Sequence, residues 1–151
     1  MGYNNITNKL EQAARDYLRG VGLELVDAAN IHMGLSADEL STPYVACVCQ
    51  SADVEEIYDG NWSADLELQV VSSAEDYTSD QHRALAAEIF SWWFIDKTEL
   101  ETNLSAALEN FTAQFVMPRR QTYELVSSEK GDRRWESKLL LTVKCCGSDI
   151  T

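Results

Sequence analysis

Four cysteines, two histidines and a dense set of carboxylates are the side chains here that could hold a metal or turn over a substrate. Cys47-x-Cys49 and Cys145-Cys146 would supply four thiolates if their segments lay side by side. Structural zinc sites usually draw ligands from C-x2-C knuckles, however, and neighbours on one strand, such as Cys145 and Cys146, project to opposite faces. The thiols are expected to be small, reduced, mostly buried groups, as free cysteines commonly are, and no metal or other cofactor is expected. Nucleophilic catalysis needs a base beside a nucleophile. His82 opens an apolar helical stripe and reads as a capped structural histidine, while His32 lies in a weakly patterned segment and reads as surface. With 25 Asp and Glu in the chain, clusters such as Asp53, Glu55 and Glu56, or Asp65 and Glu67, arise by numbers alone and read as solvated faces. No G-x-G-x-x-G or G-x4-G-K-[ST] loop occurs. In Trp92-Trp93-Phe94 consecutive rings point in different directions on a helix, so Trp93 is expected in the core and Trp92 or Phe94 under a partner subunit.

The elements that would position these groups follow from hydrophobic period. Ile6, Leu10, Ala13, Ala14, Tyr17 and Leu18 recur at helical spacing over about 5–19, and Gly20 and Gly22 end the run. Residues 23–35 suggest a short strand or extended segment. YVACVCQ (44–50) reads as a strand after Pro43, and Trp62, Ala64, Leu66, Leu68 and Val70 alternate with polar residues over 61–70, the period of a sheet with one buried face. Residues 53–60, with Asp59-Gly60, read as the turn between them. Thr78-Ser79-Asp80-Gln81 is a capping box, which predicts a helix with His82, Leu85, Ala86, Ile89, Phe90 and Trp93 on its buried stripe. Asp96 or Thr98 caps a further helix carrying Leu100, Leu104, Ala107 and Leu108. Period two returns with Phe111, Ala113, Phe115 and Met117, is interrupted at Pro118, and resumes at Tyr123 and Leu125. Lys130-Gly131-Asp132 marks a hairpin turn into a long strand, 133–146, with Trp135, Ser137, Leu139, Leu141, Val143 and Cys145 on one face. The expected fold is α+β: an antiparallel or mixed sheet packed on one side by helices, in a single domain spanning 1–151.

Composition narrows the function classes. The formal net charge is -13, from 12 Lys and Arg against 25 Asp and Glu, a poor basis for sequence-specific nucleic-acid binding. The polar, amphipathic N-terminus does not read as a secretory signal, which suggests cytoplasmic synthesis. The most apolar stretch, 84–95, is twelve residues and contains Glu88, short of a bilayer span. The charge is also uneven. Between Arg19 and Arg83 there is no Lys or Arg and there are thirteen acidic residues, whereas 118–144 holds seven basic residues against four acidic. A structural or assembly protein is expected rather than an enzyme.

The layout of NKLEQAARDYLRG, then STPYVACVCQSA, then GNWSADLELQVVSSAEDYTSDQHRALAAEIF, with a last strand ending LLLTVKCCGSD, resembles the tail-terminator and tail-completion (neck) proteins of long-tailed bacteriophages. The resemblance implies a virion protein of the tail or neck, assembled in the host cytoplasm. It implies a homo-oligomeric ring, a hexamer, that caps the tail tube and meets the tail tube protein and the head connector proteins. Alternatives are another neck or head-completion protein, a non-phage adaptor domain, or a small enzyme with a polar pocket at His32 or His82. In a ring, opposite charges on different surfaces bind copies head to tail. Arg119, Arg120, Arg133 and Arg134 are therefore expected to face Asp53, Glu55 and Glu56 of a neighbour, with Asp65 and Glu67 lining the lumen.

Overall fold

The computed structural model describes residues 6–35, 40–56, 61–108, 111–127 and 131–147, without the side chains at 55 and 56. In chain order these residues form α1 (Ile6–Gly20), a 3-10 turn (Ala28–Asn30), β1 (Ile31–Met33), β2 (Tyr44–Glu56), β3 (Asn61–Ser73), α2 (Ser79–Ser91), α3 (Lys97–Ala107), β4 (Phe111–Ser127) and β5 (Arg133–Gly147). The strands form one mixed sheet in the order β1-β2-β3-β5-β4, parallel between β1 and β2 and antiparallel elsewhere. This is the expected α+β arrangement, with the helices on one face.

Each helix is fixed by the residues that predicted it. The α1 stripe Ile6, Leu10, Ala13, Ala14, Tyr17 and Leu18 is buried throughout. At α2 the Thr78 hydroxyl accepts from Gln81 N at 3.2 Å and the Gln81 side chain accepts from Thr78 N at 2.9 Å, a complete capping box. The Asp96 carboxylate accepts from Glu99 N at 3.1 Å and starts α3. Trp93 lies just past the end of α2, buried, with Tyr17 edge-on at 5.2 Å between ring centroids.

Cross-strand partners project to the same side of a sheet, so the register sorts side chains into two faces. Cys47, Leu68 and Leu139 share a row on the helix-covered face, as do Cys49, Leu66 and Leu141. These residues and the buried faces of the three helices belong to one hydrophobic cluster.

Three expectations about the strands are corrected. β2 runs on to Glu56, so 53–56 is strand rather than turn; a register shift at Gln50 re-phases the ladder without ending it, and Asp53 and Val54 pair with Ser63 and Trp62 of β3. Residues 57–60, with Asp59-Gly60, lie outside the described residues, as does Lys130. β4 is continuous through Pro118, because an edge strand needs no amide hydrogen on its open side. A register shift between Ala113 and Phe115 also moves the buried column of β4: Val116 is buried, whereas Met117 is 43% exposed.

Candidate functional site

The thiols occupy separate places. Cys47 and Cys49 on β2 and Cys145 on β5 point under the helices, with β3 between the two strands; Cys146 pairs with Asn61 on the opposite face. Burial pushes the Cys47, Cys49 and Cys145 thiols up to about 12, so at neutral pH they are protonated, whereas the thiolate is the nucleophile and the metal ligand. Among the described residues no group of three or more His, Cys, Asp or Glu is gathered for an ion.

His82 is fully buried on the first turn of α2. Its Nδ1 lies 2.7 Å from Ser72 Oγ on β3 and its Nε2 2.9 Å from Ser137 Oγ on β5. A neutral imidazole has one donor and one acceptor nitrogen, and two rotatable hydroxyls satisfy either tautomer. Trp135 stacks on the imidazole at 6.5 Å between centroids and on Tyr123 at 5.8 Å. The Trp135 indole donates to Tyr77 O at 2.9 Å, Ser79 and Tyr123 join their hydroxyls, and the Arg83 guanidinium lies 4.3 Å from the centre of the Tyr123 ring. Burial holds the imidazole below its ordinary value. Both nitrogens are spent on bonds that tie α2 to the sheet, which is the work of a structural histidine. Ser137 is only 2% exposed at the floor of a groove of about 350 Å³ between α2 and β4. Ser72 and Ser137 were missed as partners of His82; the available signal was a hydroxyl at a core-facing position on each strand. His32 is half-buried on β1, edge-on to Tyr44.

The charged residues expected at subunit contacts lie mostly on the face without helices. Glu67, Leu140 and Arg120 share one row there; Asp65, Thr142 and Met117 share the next; Asp53, Ser63, Lys144 and Phe115 share a third. Arg119 sits at a register shift and donates to Thr142 Oγ1 at 3.2 Å. Arg119 and Arg120 are therefore together at the β4 edge of this face, and Asp53 is across the sheet on β2. Arg134, also on this face, is six residues along β5 from the Leu140 row, about 20 Å away, and bonds Tyr44. Arg133 follows it at the strand end, so the four arginines form two separate pairs. Glu55 and Glu56 belong to the β2 backbone, but their side chains lie outside the described residues. Ala46, Val48 and Val71 are also buried on this face, although no described helix packs there. Phe94, by contrast, stands 61% exposed at the corner between α2 and α3.

No family model matches the chain, and no curated protein matches it. Solved structures do match. One is a chain of a structure described as the virion of a native gene transfer agent particle, similar to this chain with a TM-score of 0.55 at 17% identity, over 90% of this chain and 94% of the other. At that identity the likeness is one of fold.

Proposed function

We propose that this chain is a structural protein of a phage-like virion, a tail terminator that assembles as a ring at the head-proximal end of the tail tube and joins it to the head connector. The observation that carries this reading is the fold, shared over nearly the whole of both chains with a component of a gene transfer agent virion. The sequence resemblance to tail-terminator and neck proteins points the same way. On this reading the chain is not an enzyme, and His82 holds α2 to the sheet. Asp65 and Glu67, on the face without helices, line the lumen. Arg119 and Arg120 meet Asp53, Glu55 and Glu56 of the next subunit, with Arg133 and Arg134 as a second contact farther along the strands. Such charges set register and encounter rate more than affinity.

Negative-stain electron microscopy of the purified protein, with light scattering across salt concentrations, tests the proposal. Rings of uniform diameter, six subunits in mass, that bind one end of assembled tail tubes are expected. A protein that stays monomeric at high concentration and low salt and does not bind tube ends overturns it.

A further inference from the structure

Among the described residues, both edges of the sheet are open over much of their length, and they carry opposite charge. β1 pairs only with Val45, Ala46 and Cys47, so the rest of β2 has no strand on its outer side among the described residues. β4 is the terminal strand at the other edge for its whole length. Open strand edges are templates for a further chain, and folded proteins usually blunt them. Here each edge is blunted at one point by a helix. The Glu11 carboxylate of α1 accepts from Cys49 N at 2.9 Å, and Ser105 Oγ of α3 accepts from Ala113 N at 2.9 Å. Beyond those caps, β2 presents exposed Asp53 beside Val54, which is 44% exposed; β4 presents Met117, 43% exposed, beside exposed Arg119 and Arg120.

From these edges we infer that the sheet of one subunit continues into the next: the open part of β2 docks along β4 of a second copy, with Asp53 against Arg119 and Arg120. The inference rests on the ring reading and names the strands that make the ring. The two edges point away from each other, so the contact is head to tail, and repetition closes when the rotation per step divides a full turn. Asp53 lies in the row of Lys144, and Arg119 reaches Thr142 two residues along β5, an offset of about 7 Å. A stagger of that size brings the charges level, and bending a sheet into a closed form itself requires staggered register. Met117 supplies apolar contact beside the charges on this face, and Val54, in the row of Trp62, supplies it on the helix-covered side of the same edge.

Charge reversal and cross-linking test this contact. Asp53→Arg and Arg119→Glu/Arg120→Glu are each expected to reduce the assembled species to monomer at low salt, and all three changes in one chain to restore assembly. Far-UV circular dichroism confirms that each variant is folded. Independently, Asp53→Cys/Arg119→Cys is expected to give a ladder of disulfide-linked oligomers under oxidation, with each single variant giving no ladder. Rings that form normally in the reversal variants and yield no ladder overturn the edge contact and leave the ring standing. Wild-type protein that never assembles overturns both.

Discussion

The two faces of this sheet are made by alternate residues of the same strands, yet they tolerate opposite chemistry. Under the helices, Leu66, Leu68, Leu139 and Leu141 are 0–1% exposed, and polar groups survive there by pairing, as His82 does with Ser72 and Ser137. On the other face Asp65 and Glu67 stand one residue away on the same strand, and Arg119, Arg120, Lys138 and Lys144 occupy the neighbouring strands. Burial under a second layer, more than the strand itself, decides which residues a sheet position accepts.

Breaking the covered face should have the largest effect. Leu66→Ala leaves a cavity in the core and is expected to cost about 2–5 kcal/mol, read as a lower urea midpoint. His82→Leu strips the Ser72 and Ser137 hydroxyls of their partner, and each buried hydroxyl left unpaired costs about 1–3 kcal/mol in the same measurement. The variant also changes the pH profile. Burial lowers the folded-state value of His82 beneath the ordinary 6.5, so the unfolded chain takes up the proton first. This contribution is complete above that value and is lost as pH falls through it toward the lowered folded value. Wild type should therefore lose more thermal stability than His82→Leu between about pH 7.5 and 5.5. Thr78→Ala removes the hydroxyl of the α2 capping box and should cost about 0.5–2 kcal/mol, with faster amide exchange in the first turn of α2. Glu67→Ala, on the helix-free face, should change stability by no more than about 0.5 kcal/mol. If Glu67→Ala were the damaging change and Leu66→Ala the silent one, the register would be off by one residue and the faces reversed.

Much of the fold was legible because its signals are local. The α1 stripe, both helix caps, and the buried columns of β3 and β5 depend on residues a few positions apart, and each lies where its period placed it. The misreadings occur where a strand breaks its period. At Gln50, between Ala113 and Phe115, and between Pro118 and Arg120, a register shift inserts a residue, and only the last is marked in the sequence, by Pro118. For the candidate site, the charges were visible and their grouping was not. Arg119 and Arg120 were grouped with Arg133 and Arg134 by proximity along the chain, but the β4–β5 pairing separates them by about 20 Å.

The sequence by itself determined the helices, the buried columns of the two clearest strands and the uneven distribution of charge, because each is a matter of spacing or composition. Tertiary structure alone decided that β5 is inserted between β3 and β4, and every consequence of that order followed from it. It gave His82 one hydroxyl from each of two strands distant in the chain. It set Asp53 and the Arg119–Arg120 pair at opposite edges of one face. Strand order is a long-range pairing choice, made by which apolar faces can be covered together, and no local pattern encodes it.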